Sequence, residues 1–158
     1  MTYKRILVPV DGSPTSDQGL DEAAKLARSS GSRLLLLHVV DDTVAFSSPD
    51  GAGVNLVLDV LRSSGKSALE TAAERARRAR LRADTALVEK ATGRVAEAIV
   101  EQAKRWRADL IVMGTHGRRG VNRLLLGSNA ELVVRNSVVP VLLVPGRERQ
   151  GGAVRARR

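Results

Sequence analysis

No cysteine occurs in the 158 residues, which excludes disulfides and thiolate metal sites and agrees with a reducing, cytoplasmic setting. Aromatic side chains are nearly absent as well, with one Trp, one Tyr and one Phe. The core must therefore be built from Val, Leu, Ile and Ala. Long apolar runs are missing: the first, ILVPV at residues 6–10, ends in Asp-Gly and is too short for a signal peptide or a membrane span, so no membrane association is expected. Several chemistries also lack their motif. A P-loop needs G-x-x-x-x-G-K-[ST], but the GKS at residues 65–67 has Val60 where the first glycine belongs and falls inside a helical pattern. The dinucleotide fingerprint G-x-G-x-x-G should follow the first strand, where the chain instead reads DGSPTS. No G-x-S-x-G is present, and Asp11, Ser13 and His116 make no hydrolytic triad, because two of them share one tight turn. No catalytic residue is assigned.

What is present is a chain of one-domain length with a net charge of +9. Residues 74–82 (ERARRARLR) and the tail from Gly146 together carry eight of those nine positive charges. The remainder is close to neutral, so basicity is local. In the first stretch Ala72, Ala76 and Ala79 can face inward, which makes the arginines a solvated helix face. A nucleic-acid footprint is the alternative, but neither aromatic stacking residues nor a recognition motif accompany the charge.

Strand-length apolar runs recur at Lys4–Val10, Arg33–Val40, Asp84–Val88, Asp109–Met113 and Val138–Val144. Several do not alternate with polar residues, which indicates strands covered on both faces. Helical spacing fills Pro14–Ser30, Leu56–Arg82, Val95–Arg107 and Asn129–Asn136. The alternation predicts an α/β three-layer sandwich around a five-stranded parallel sheet. Ser13 with Pro14 suits the start of the first helix, and Ser128 with Glu131 has the capping-box spacing. Residues 41–55 lack a period and read as a mobile excursion. The expected domain is 1–146, followed by a basic, disordered tail at 147–158.

In an open α/β sheet, ligands bind beyond the carboxyl ends of the strands where strand order reverses. The stretch GTHGRRGVNRLLLGS, residues 114–128, should reach that place. Gly114 and Gly117 permit positive φ and close backbone approach, so successive N–H groups can form an anion nest. Gly127 and Ser128 then open a helix whose first N–H groups are unpaired. The same residues also suit a plain connection in which the glycines end a strand and Ser128 caps a helix. His38, in an apolar strand, reads as a hydrogen-bonded core histidine, whereas His116, Arg118 and Arg119 lie where a phosphate chain could meet them.

The pattern G-x2-G-x9-G-[ST], filled by Gly114, Gly117, Gly127 and Ser128, resembles the ATP-binding branch of the universal stress proteins. ILVPVDGS, LLLLHVVD, ADLIVMGTHGRRG and VPVLLVP are similar to that family too, over roughly residues 3–145. The resemblance implies an adenine-nucleotide-hydrolase-like fold that binds ATP with Mg²⁺, or Mn²⁺ in its place. It implies that Pro9 and Val10 line the base pocket, that the Val39 backbone meets adenine, and that Asp11 approaches the ribose and the metal. Gly114, Thr115, His116, Gly117, Arg118, Arg119 and Gly120 would hold phosphates, with Gly127, Ser128, Asn129 and Ala130 at the helix start. The chain departs at Asn129 and Ala130, where many relatives carry a small apolar residue and then a hydroxyl.

The function so implied is a cytoplasmic, nucleotide-dependent stress-response or signalling module with at most weak ATP hydrolysis. A slow ATPase or nucleotidyl-transfer enzyme on the same fold is the second reading, although the adenylating H-x-G-H signature is missing and no paired carboxylates stand near the expected γ-phosphate. Nucleic-acid binding by the arginine clusters is the third. The last strand, Val138–Val144, is apolar at a sheet edge and is expected to pair a homodimer; the sequence points to no particular protein partner.

Overall fold

The computed structural model describes residues 2–47, 53–90, 94–115 and 126–146. Five strands form one parallel sheet in the order β3-β2-β1-β4-β5. They are β1 (Arg5–Pro9), β2 (Arg33–Asp41), β3 (Arg82–Lys90), β4 (Leu110–Gly114) and β5 (Val141–Val144). Helices α1 (Pro14–Ser30), α2 (Val54–Arg78), α3 (Val95–Trp106) and α4 (Ser128–Asn136) alternate with them.

The non-alternating strands are covered on both faces. Ile6, Val8, Leu34, Leu36, Leu110 and Val112 pack with Leu20, Ala23 and Ala27 of α1 and Leu69, Ala72 and Ala76 of α2. On the other face Leu7, Leu35, Leu37, Ile111 and Met113 meet Ala96, Ile99 and Ala103 of α3 and Val133 of α4. Small alanines on the helices let aliphatic strands fill the space without aromatic side chains. That arrangement is the expected three-layer sandwich.

Element ends differ from the expectation where backbone chemistry intervenes. The second helix stops at Arg78, because Arg80 turns left-handed (φ 56) and the Leu81 N–H closes back on the Ala76 carbonyl at 3.0 Å. The last strand starts at Val141 and not Val138: Ser137 exchanges hydrogen bonds with the Val139 backbone, which bends residues 138–139 out of the ladder. The third strand runs longer than Asp84–Val88, pairing with β2 at nine positions. Within the 41–55 excursion, residues 42–47 form a 3-10 helix and α2 begins at Val54. Ser13 caps α1 as expected, its hydroxyl accepting the Ser16 N–H at 3.2 Å. Ser128 does not cap α4; Gly127 holds the cap position, and Ser128 is the first helical residue. The basic stretch 147–158 lies outside the described residues.

Candidate functional site

Strand order reverses between β1 and β4, so their carboxyl ends open a crevice at that point. The first wall is the turn after β1. Gly12 takes φ 77, which a side chain would resist. The Asp11 carboxylate accepts the Ser13 N–H at 2.9 Å, the Asp11 N–H donates to the Ser16 hydroxyl at 3.1 Å, and Ser13 caps α1. Asp11 is thus half-buried and locked in orientation by its own turn. Ser16, which the sequence reading passed over, is buried within this network.

The second wall comes from β2. Pairing with β1 ends at Pro9–Leu37, yet β2 continues to Asp41. The Leu37 carbonyl accepts the Val10 N–H at 2.8 Å, so it faces β1. Backbone groups two residues apart on a strand share a side, and the Val39 N–H and C=O therefore point the same way. At Val39, β1 has already turned away and offers no residue in register. A flat heterocycle lying there can meet one backbone donor and one acceptor whatever side chain stands at 39.

The third wall joins β4 to α4. Thr115 donates its N–H to the Val144 carbonyl at 3.0 Å and accepts the Gly127 N–H at 2.8 Å. These bonds clamp the base of the connection and occupy both N–H groups. Gly114 does not have the positive φ expected of it. Its role is clearance, since a Cβ there would lie 2.7 Å from Thr15 Cγ2 and 2.9 Å from the Thr15 carbonyl. Gly127, at φ −60 and ψ 145, has a backbone open to any residue. Among the described residues of this wall, the groups left for an anion are those of the first turn of α4, whose N–H groups have no partner four residues back. Ser128 and Asn129 are exposed there, while Ala130 is buried in the core, so no side chain at 130 faces the crevice. His116, Gly117, Arg118, Arg119 and Gly120 lie outside the described residues.

His38 is a buried, hydrogen-bonded histidine, as expected, with Nδ1 2.7 Å from the Val10 carbonyl. Gly65 of the GKS stretch lies within α2 and is buried. A groove of about 530 Å³ lies elsewhere, lined by α1, the end of α2 and Val144–Pro145. Three of its cations are ion-paired: Lys25 with Glu22, Arg75 with Asp17 and Asp21, and Arg78 with Glu74. These pairs account for part of the basic helix face without any polyanion. Among the described residues no three His, Cys, Asp or Glu side chains converge on a metal site. No helix among them is long and apolar enough to cross a membrane.

The universal stress protein family model matches residues 2–145. The chain belongs to the universal stress protein family. A universal stress protein of Methanocaldococcus jannaschii is 36% identical over 142 residues, covering 90% of this chain and 82% of the relative. A crystal structure of a universal stress protein family member from Burkholderia pseudomallei is 36% identical with a TM-score of 0.75, covering 90% of this chain and 96% of that one. Another solved universal stress protein, crystallised in complex with cAMP, is 26% identical with a TM-score of 0.66 over 93% of this chain and all of the other. The five-stranded parallel sheet and four helices of this universal stress protein are thus those of its family.

Proposed function

We propose that this universal stress protein binds ATP across the β1–β4 crevice and acts as a nucleotide-dependent stress-response or signalling module in the cytoplasm. The observation that carries this reading is the convergence of the Asp11 turn, the Val39 backbone and the α4 N-terminus at the switch point of the sheet. The cAMP complex of a relative supports an adenine nucleotide as the ligand class. In this reading Pro9 and Val10 flank the base, and the Val39 backbone reads its edge. Asp11 faces the ribose, while the Gly114–Gly120 segment, through its residues beyond the Thr115 clamp, and the start of α4 at Ser128 and Asn129 take the phosphates. A single carboxylate suits Mg²⁺ or Mn²⁺ carried in on the phosphates, since Mg²⁺ keeps much of its water and needs only one or two protein carboxylates. The ion's contribution is charge neutralisation; Asp11, held by the Ser13 N–H, orients toward it at no further ordering cost.

Isothermal titration tests the assignment. Gly127→Val adds bulk where backbone should meet phosphate, and its ordinary φ means the effect reads ligand approach and not backbone strain. ATP affinity should fall more than about tenfold, or roughly 1.4 kcal/mol. Asp11→Ala should lose more affinity with Mg²⁺ present than without it. Parental Mg-ATP binding by both variants would sink the assignment, and ATP turnover well above background in the parent would favour the enzyme reading.

A further inference from the structure

Two features of the sequence have no part in the site so far, the buried His38 and the glycine at position 65. The structure joins them. The imidazole of His38 lies between the sheet and α2, with Nδ1 2.7 Å from the Val10 carbonyl. On the opposite side, a Cβ at Gly65 would stand 2.5 Å from His38 Cδ2 and 2.9 Å from Nε2. Glycine inside a helix is costly by about 1 kcal/mol relative to alanine, so its place in the middle of α2 needs a reason. The ring supplies it: only a helix without a side chain at 65 can pass this close.

Val10 is where β1 turns into the Asp11 turn. Its N–H is held by the Leu37 carbonyl at 2.8 Å and its carbonyl by His38 at 2.7 Å. Neighbouring residues of β2 therefore grip both polar groups of the last residue before Asp11. A carbonyl is an acceptor only, so the ring must carry its proton on Nδ1 to make this bond. Resting on the nucleotide reading above, we infer that His38 is a positioning residue of the site: through the Val10 carbonyl it fixes the Val10–Ser13 turn, and α2 wedges the ring in place at Gly65.

The test compares the full-length parent with His38→Leu, which removes the donor, and His38→Asn, whose side-chain amide can place an N–H near the position of Nδ1. Amide hydrogen exchange by NMR, without ligand, is read at Asp11, Ser13 and Ser16, with Leu7 and Val133 as reporters of the whole core. His38→Leu should speed exchange at the three turn amides by more than at the reporters, and it should weaken ATP binding about fivefold, the worth of one buried hydrogen bond. His38→Asn should restore both to within about twofold of the parent. Equal acceleration at turn and core, or no rescue by asparagine, would reduce His38 to packing and overturn the inference. Parental ATP affinity in His38→Leu would overturn it while leaving the nucleotide site standing. Failure of the parent itself to bind ATP would remove the nucleotide reading and the affinity half of the inference with it; the exchange rates would still decide whether His38 holds the turn.

Discussion

At the scale of single residues, backbone conformation explains several choices that composition conceals. Arginines at 80 and 107 adopt left-handed φ values of 56 and 55, each at the end of a helix where glycine is the usual occupant. Gly31, at φ 66, does the same job after α1 without a side chain. Arg107 is exposed, and its place is to let the Ala108 N–H reach back to the Ala103 carbonyl at 2.8 Å. A left-handed residue with a Cβ costs roughly 1–2 kcal/mol, and glycine returns about 0.4–1 of that through the unfolded chain. Arg107→Gly should therefore stabilise the fold by roughly 0.5 kcal/mol. Urea denaturation would check it, and a loss of stability would mean that the arginine side chain makes a contact worth more than the strain. The same reasoning separates the glycines of the site, because Gly114 answers to Thr15, whereas Gly127 has a φ and ψ that any residue adopts.

Helices and strands divide into what periodicity reveals and what it cannot. The span of α1 was fully legible, since Ser13, Pro14 and Gly31 mark both ends by local chemistry. The limits of α2 and β3 were not, because Arg80 gives no sequence sign of a left-handed turn and β3 has polar residues on its open side. Likewise the place of Asp11, Val39 and Ser128 around one crevice was readable from strand order and motif, while the Thr115–Gly127 clamp and the His38–Val10 bond depend on contacts between distant segments. One surface ion pair ties α2 to β3, where Arg62 reaches Glu89, and others lie within α2, where Arg77 and Arg78 both bind Glu74. Hydrogen bonds from those arginines hold the Glu74 and Glu89 carboxyls below the usual carboxylate range. A carboxyl depressed in the folded chain adds stability above its unfolded value and loses it as pH falls through its folded one. Glu89 is exposed and Glu74 half-buried at the surface, so the effect is small and screened by salt. Melting below the ordinary glutamate pKa should therefore show an acid-side loss at low salt that shrinks at high salt. The double variant Glu74→Gln, Glu89→Gln should flatten that salt-dependent part, and an unchanged profile would assign the loss to other carboxylates.

For the molecule as a whole, the two sheet edges pose different problems. Strand β3 is long, but Arg82, Asp84 and Glu89 stud it, and charge on an edge discourages further pairing. Strand β5 is short and reads VLLV, with Leu142 36% exposed. Beside it the α4 residues Leu132 and Val134 are exposed, and Val138 in the bend before β5 is 71% exposed. Scattered apolar side chains need no explanation, but four of them on α4, β5 and the bend that joins them, at an unpaired edge, do. We propose that β5 pairs with its counterpart in a second copy, because a twofold axis lets one self-complementary patch cover itself and closes the assembly at two chains. Light scattering at micromolar concentration should then give the mass of a dimer. Leu142→Lys places a charge at the centre of that edge and should yield monomers that keep the parental circular dichroism spectrum. The equivalent change on the opposite edge, Thr85→Lys on β3, should leave the mass untouched. A monomeric parent would end the proposal, and so would a Leu142→Lys variant that remains a dimer, since an interface indifferent to charge at 142 cannot be built on β5.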